Sequence, residues 1–156
     1  MLGTECYLQA AVQGGRWLVD VQNSDGSLYR YYGPDLDAYI KTTRSRLKPF
    51  RKAFRPRETG STAQAMRIWL SLNEETGCAA FHSAAERAAS FILPMQWRKR
   101  DDPDALGGFH ARCDKLWNVQ WLSPELYSWT TMFACQGIAL ARQIADGNRT
   151  ILPELF

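Results

Sequence analysis

AAERAASFILPMQ, at residues 84–96, decides the fold because a second stretch of the same pattern, AAVQGGRWLVDVQ, lies 74 positions earlier at residues 10–22. The offset superposes Trp17 on Phe91 and Gln22 on Gln96. Each stretch is followed by a polar loop with a small residue and an aromatic, DGSLYRYY in the first case and DALGGFHA in the second. A helix and loop that recur together indicate a repeat protein.

Four segments predict helices, and they lie at roughly 4–22, 61–76, 80–97 and 124–146. Apolar residues recur in them at the three-and-four spacing of one helix face. Ser61 or Thr62 is a suitable N-cap for the second helix, and Gly77 is a natural stop. Ser123 suits the N-cap of the fourth helix and Pro124 its first helical position.

Two of these helices contain residues that weaken a helix locally. Gly14 and Gly15 each destabilise the first helix by about 1 kcal/mol relative to alanine. We therefore expect a break or a close contact with another element there. Pro94 is expected to kink or loosen the last turn of the third helix.

The second and fourth helices also correspond, with AQAM at 63–66 matching CQGI at 135–138 at an offset of 72. The predicted order is an outer helix, a loop and an inner helix, and then the same again. The pieces SLYRYY (27–32) and LWNVQWL (116–122) could pair as short strands, but the predicted fold class is mainly α. Residues 1–156 are expected to form one domain of about two helical-hairpin repeats.

This pattern resembles the α/α-toroid superfamily, in which helical hairpins circle into a barrel and inner helices line a central cavity. The resemblance rests on GSTAQAMRIWLSLNEETG (60–77), on the two Ala-Ala to Gln helices and on the Gly-Gly-Phe at 107–109, and it covers most of residues 5–146. The spacing is similar to the QW repeat of terpenoid cyclases, in which the Gln ties the end of an outer helix to the following turn. Six-hairpin glycosidases, polysaccharide lyases and sugar epimerases belong to the same superfamily.

The resemblance implies an incomplete barrel, because about five to seven hairpins close a toroid and this chain has about two. We therefore expect either a homo-oligomer or the remainder of a larger chain, since exposed apolar surface of that size normally finds a partner. The implied function is a carbohydrate-active enzyme or a fragment of one, with a neutral or anionic polysaccharide as ligand. A non-catalytic helical-repeat domain for binding or assembly is the alternative, and a terpenoid-cyclase-like protein is the third.

The predicted catalytic residues follow from what such enzymes need, and they are His110, Arg112, Glu125 and Tyr127. A polysaccharide lyase or epimerase requires a base such as His or Tyr, and a cation that stabilises the carboxylate of a uronic acid. These residue types flank the loop before the fourth helix, which can face the mouth of the cavity.

Trp117, Trp121 and Trp129 are the predicted substrate-binding aromatics, because sugar rings stack on such side chains. Core packing is the alternative for all three. Asp102 and Asp104, in RKRDDPDALGG, could contact substrate or act as an acid/base cluster. A solvated turn is the alternative for these aspartates, since proline and glycine accompany them.

The composition, with 46% hydrophobic, 12% aromatic and 22% charged residues, is that of a globular protein and excludes disorder. Without a run of about 18 apolar residues, no membrane span is expected. The N-terminus lacks the features of a signal peptide, so a cytoplasmic location is expected unless a truncated start conceals an export signal. The four cysteines form no CxxC pair. They are expected to be buried free thiols, with Cys135 a small core residue, and neither a metal nor a cofactor is expected.

One charge feature stands apart from the net charge of +3, since residues 41–57 hold eight basic residues and no acidic one. Such a run fits a nucleic-acid backbone, an anionic polysaccharide or an acidic membrane surface, and it is also typical of a solvated linker. With no recognised nucleic-acid module in the chain, we expect no nucleic-acid partner.

Overall fold

A computed structural model describes residues 4–30, 32, 56–100, 102–116 and 119–147. Four helices and four short strands make up this part of the chain. The helices are α1 (Thr4–Asp20), α2 (Thr59–Thr76), α3 (Ala79–Ile92) and α4 (Ser128–Ala145). The strands are β1 (Leu28–Tyr29), β2 (Arg57–Glu58), β3 (Arg112–Leu116) and β4 (Val119–Leu122). The fold is therefore mainly helical, with a small antiparallel sheet of order β1-β2-β3-β4.

The two glutamines of the sequence repeat make equivalent hydrogen bonds in the structure. Nε2 of Gln22 donates to the Gly26 carbonyl at 3.0 Å, and Nε2 of Gln96 donates to the Gly107 carbonyl at 3.5 Å. Both glycines adopt a positive φ, 85° and 88°, which residues with a Cβ rarely tolerate. Each glutamine thus ties the end of a helical segment to the turn that follows it.

A second pair of hydrogen bonds repeats two residues after each of these glycines. The backbone N–H of Leu28 donates to Thr62 Oγ1 at 2.9 Å, and that of Phe109 donates to Thr131 Oγ1 at 3.0 Å. Both threonines are the fourth residue of their helix, α2 and α4 respectively. The turn after each first helix is therefore fastened to the first turn of each second helix.

These contacts correct the predicted alignment of the second and fourth helices. Thr62 and Thr131 are 69 positions apart, and so are the first residues of α2 and α4, Thr59 and Ser128. The offset of 72 inferred from AQAM and CQGI is wrong by about one helical turn. Small apolar residues recur at that spacing within one helix, so letter similarity alone does not define the register.

Both predicted helix starts also differ from the structure. The helix α2 begins at Thr59 rather than near Ser61, and α4 begins at Ser128 rather than near 124. The fourth helix starts late because the Ala111 N–H bonds the carbonyl of Glu125, and Leu126 bridges to His110 in an antiparallel ladder. Neither Thr62 nor Ser123 is an N-cap.

The predicted effects of Gly77 and Pro94 at two helix ends agree with the structure, although the first and third helices end at Asp20 and Ile92 rather than near 22 and 97. Gly77 closes α2 in a left-handed conformation, with φ of 65° and its N–H on the Asn73 carbonyl at 2.7 Å. Pro94 lies in a 3-10 turn, Leu93–Met95, that replaces the last turn of α3. Gly15 leaves α1 unbroken and provides the predicted close contact, since its carbonyl accepts from Trp69 Nε1 at 3.0 Å and a Cβ there would overlap Leu72.

The strand-like pieces contribute to one sheet but do not pair with each other. β1 pairs with β2, β2 with β3, and β3 with β4, so the two pieces lie in strands at opposite edges. All four strands belong to the connections that lead from α1 to α2 and from α3 to α4. The sheet therefore covers the N-terminal ends of α2 and α4.

The core lies between α2, α3 and the turns, and its largest fully buried side chains include Trp69, Phe81, Phe109, Leu28 and Met66. Helices α2 and α4 run parallel, because Gly60 contacts Thr130 near their N-termini and Met66 contacts Gly137 further along.

The cysteines depart from expectation. Cys113 is buried, but Cys6 and Cys135 are exposed and Cys78 is partly buried. The prediction that Cys135 is a core residue is wrong.

Candidate functional site

Charged side chains gather on the sheet beside the N-terminal ends of α2 and α4. We call this group the charged strip, and its members are Asp25, Arg30, Arg57, Glu58, Arg112 and Asp114. Nε of Arg57 lies 2.7 Å from Asp25, Nε of Arg30 lies 4.0 Å from Glu58, and Nε of Arg112 lies 3.4 Å from Asp114. Glu58 also stands opposite Arg112 in the β2–β3 ladder. The strip thus alternates in sign along neighbouring strands.

Asp114 is the most perturbed carboxyl of the described residues. Its residue exposure is 4%, and burial raises its pKa. The Arg112 guanidinium, paired with this carboxylate, opposes that shift, and the negative charge of Glu125 adds to it. Within the described part of the chain, Oδ1 of Asp114 has no hydrogen-bond partner. A buried carboxyl with a raised pKa, beside a cation and a second carboxylate, is a typical proton-transfer group.

Glu125 and Tyr127, two of the predicted catalytic residues, have side chains in contact. The Tyr127 hydroxyl donates to Glu125 Oε2 at 3.1 Å, and the Ser123 hydroxyl lies 3.3 Å from the same oxygen. Both contacts follow from the extended backbone before α4, which places alternate residues on one side. Arg112 reaches this group through Asp114, whose pKa responds to both neighbours.

Exposed aromatic rings border these carboxyls. Trp129 is 54% exposed, and its ring centroid lies 6.2 Å from that of Tyr127. Trp121, opposite Asp114 in the β3–β4 ladder, is also exposed. Core packing, the alternative for these residues, does not account for Trp121 and Trp129. Trp117 lies outside the described residues.

His110 lies beneath the segment that carries Glu125 and Tyr127, and it is buried whereas they are exposed. It is buried, its Nδ1 contacts the Ser123 carbonyl oxygen, and its ring lies 5.5 Å from that of Trp97. Its backbone N–H bonds the Met95 carbonyl, and it bridges to Leu126. These contacts give His110 a structural role, and its predicted catalytic role stays a prediction.

Asp102 and Asp104 lie in an exposed turn. Oδ1 of Asp102 accepts the N–H groups of Asp104 and Ala105 at 3.2 and 3.3 Å. This arrangement is the aspartate turn that the solvated-loop alternative describes. Asp101 and residues 41–55 of the basic run lie outside the described residues, and Arg57 from that run is paired with Asp25.

No known protein family, curated protein or solved structure matches this chain. Among the described residues, no group of three or more His, Cys, Asp or Glu side chains is placed to hold a metal ion. Nor does any described helix combine the length and apolar character needed to cross a bilayer.

Sequence reasoning missed Asp114, Glu58 and Asp25. Asp114 stands in a short strand, RCDKL, whose alternating polar pattern carries no sign of burial. The signal that was available is the neighbouring Arg112, since a basic and an acidic residue two positions apart in a strand lie on the same side.

Proposed function

We propose that this chain acts on a carbohydrate at the N-terminal ends of α2 and α4. The observation that carries the proposal is the buried Asp114 carboxyl, with its raised pKa, between Arg112 and Glu125 and bordered by exposed aromatic rings. Two carboxyls in unlike surroundings are the basis of most glycosidic bond hydrolysis.

The roles follow from the surroundings of each group. Asp114, whose burial favours the protonated form, donates a proton to the glycosidic oxygen as the bond breaks. Glu125 is exposed and accepts the Tyr127 hydrogen bond, so it is the carboxylate that activates water or attacks the anomeric carbon. This assignment keeps two of the predicted catalytic residues, Glu125 and Tyr127, and adds Asp114.

Substrate contacts come from the aromatic border and from Arg112. The faces of Trp121 and Tyr127 offer stacking surfaces for pyranose rings. Arg112 is about one-third exposed on its side chain, and it becomes free to bind an anionic group when Asp114 is protonated. A uronic acid carboxylate is such a group, which favours an acidic polysaccharide as substrate.

The repeat geometry supports an α/α-toroid arrangement as the architecture of this site. In both units a helix, a glutamine-tied turn, two short strands and a second helix follow in order, and the second helices run parallel. The proposed site lies where the two connections between helices meet, which is the predicted mouth of the cavity.

The test is an assay of a panel of neutral and uronic-acid polysaccharides, in which hydrolysis is measured by the release of reducing ends. Asp114→Asn and Glu125→Gln should each lower kcat by about a hundredfold or more, because each removes a proton-transfer group. Glu86→Gln, a change at an exposed carboxylate on α3, should leave kcat unchanged and serves as the matched control.

Three outcomes would count against hydrolysis. Equal activity of wild type and Asp114→Asn would remove the proposed acid, and unsaturated products would identify a lyase instead. Binding of polysaccharide without turnover, weakened by Trp121→Ala, would support the non-catalytic binding domain, which the exposed rings of Trp121 and Tyr127 also favour.

A further inference from the structure

One side of α4 carries apolar residues that face away from the rest of the described chain. Trp129 is 54% exposed and Met132 is 46% exposed, and Cys135 and Ala139 are exposed on the same side. The opposite side of α4 is buried against α2 through Thr130, Ala134, Gly137 and Leu140. We call the exposed side the α4 stripe. Exposed apolar stripes of this kind mark interaction surfaces.

The internal repeat shows which residues correspond to the α4 stripe. At the offset of 69 established by Thr62 and Thr131, the stripe matches four residues of α2, which are Gly60, Ala63, Met66 and Leu70. All four are buried.

The first three of them form the contact between α2 and α4. A Cβ on Gly60 would lie 3.2 Å from Thr130 Oγ1, and one on Gly137 would lie 3.4 Å from the Ala63 carbonyl and 2.5 Å from Met66 Cε. One side of α2 packs against α4. The α4 stripe is the corresponding side of α4, one repeat further along the chain.

The matching half of that contact is present on α2. The α4 residues buried against α2 correspond at the same offset to Ser61, Ala65, Ile68 and Ser71. Ile68 is 42% exposed and Ser61 and Ser71 are partly buried, whereas Ala65 is buried within its own chain. We call the accessible residues on this side of α2, Ser61, Ile68 and Ser71, the α2 edge.

We propose that a second copy of this chain docks its α2 edge on the α4 stripe, head to tail, and so continues the repeat between molecules. The second copy's Ile68 lies at the place of Gly137, next to Cys135 and Met132. Its Ser61 lies beside Trp129. A contact that uses two different surfaces either closes into a ring or extends.

One polar contact also recurs under this arrangement. Within the chain, Nη1 of Arg67 donates to Oε1 of Gln136 at 2.8 Å, and these two residues are equivalent at the offset of 69. The second copy's Arg67 takes the place of Gln136, beside Gln136 of the first copy. The same Arg–Gln pairing then forms across the boundary between molecules.

The experiment is sedimentation velocity of the full chain from micromolar to near-millimolar concentration. Wild type should associate, and Met132→Glu and Ile68→Glu should each raise the dissociation constant by about a hundredfold or more, because each buries an unpaired charge in the contact. Tyr7→Glu, which changes an exposed aromatic on α1 outside both surfaces, is the matched control and should associate like wild type. Both test positions are exposed, so each variant should keep the wild-type circular dichroism spectrum and melting temperature.

Mixing the two variants separates head-to-tail docking from every symmetric alternative. Met132→Glu keeps an intact α2 edge and Ile68→Glu keeps an intact α4 stripe, so the mixture should form a one-to-one dimer that does not extend. A second readout is Ile68→Cys, which should form an intermolecular disulfide with Cys135 when an added oxidant such as oxidised glutathione accepts the two electrons, and which should lose it when Cys135→Ser is added. A monomeric wild type, an unaffected Ile68→Glu variant, or a mixture that stays monomeric would overturn the proposal.

Discussion

Phe109 donates its backbone N–H to the Thr131 hydroxyl at 3.0 Å, and this bond joins the turn after α3 to the first turn of α4. Leu28 and Thr62 form the same bond at 2.9 Å in the first repeat. Thr62 also donates its hydroxyl to the Glu58 carbonyl at 2.6 Å, and it is fully buried.

Replacing either threonine by valine keeps the shape and removes the hydroxyl. Thr62→Val should lower the free energy of unfolding by about 2–3 kcal/mol, because a buried N–H and a carbonyl both lose a partner. Thr131→Val loses one accepted bond at a partly exposed position and should cost about 1 kcal/mol. Urea unfolding of both variants measures the difference, and an equal or reversed order would contradict the two-bond role of Thr62.

Of the two equivalent glutamines, Gln22 should contribute more to the free energy of unfolding than Gln96. Gln22 donates to the Ala84 carbonyl as well as to Gly26, and accepts from Arg87 Nη2 at 2.6 Å, whereas the bond from Gln96 to Gly107 is 3.5 Å long. Gln22→Ala should therefore destabilise the protein by about 2–3 kcal/mol and Gln96→Ala by less than about 1 kcal/mol. Thermal unfolding of the two variants provides the comparison. Similar losses would show that the longer bond carries as much stability as the network around Gln22.

The two turn glycines share a backbone conformation but differ in their surroundings. Both have positive φ, so alanine adds about 1–2 kcal/mol of strain at either position. A Cβ on Gly26 would also meet the Arg87 carbonyl, while one on Gly107 has nothing within 4 Å. Gly107→Ala should fold with only that backbone strain, and Gly26→Ala should lose markedly more stability or fail to fold. Calorimetry of Gly107→Ala beside wild type, with expression yield for Gly26→Ala, distinguishes the two effects.

The repeat was visible in the sequence because its glutamines and glycines lie close along the chain. Gln22 and Gly26 are four positions apart, and their counterparts Gln96 and Gly107 are eleven apart. The seven added residues in the second turn include Asp102 and Asp104, and this explains why these aspartates have no counterpart in the first unit. Local spacing of this kind survives in the sequence of a single chain.

The register of α2 and α4 was not visible, because it depends on contacts between distant residues. The bond from Leu28 to Thr62 spans 34 positions, and strands of two residues are too short to show alternation. The exposure of Cys135 was missed for a related reason, since apolar periodicity identifies a helix face but not which neighbour covers it. Burial of Asp114 likewise depends on the folding of β3 and β4 over the helix ends.

Asp114→Asn tests the electrostatics of the site through stability alone. Burial raises the pKa of Asp114, so the folded protein holds this proton more tightly than the unfolded chain does. The stabilising effect is fully present below the unfolded pKa of about 3.9 and is lost as pH rises through the folded pKa. Asparagine resembles the protonated form at every pH. The variant should therefore gain stability relative to wild type as pH rises from about 4 towards neutrality, with a constant difference once the wild-type carboxyl is ionised.

Urea unfolding across this pH range measures the difference in the free energy of unfolding. Asp104→Asn, at an exposed position, is the control, and its stability should follow that of wild type at each pH. A stability difference that does not change with pH, or one that shrinks towards neutrality, would contradict the prediction. It would mean that the Arg112 charge outweighs burial and that Asp114 is ionised throughout this range. Asp114 could not then serve as the proton donor.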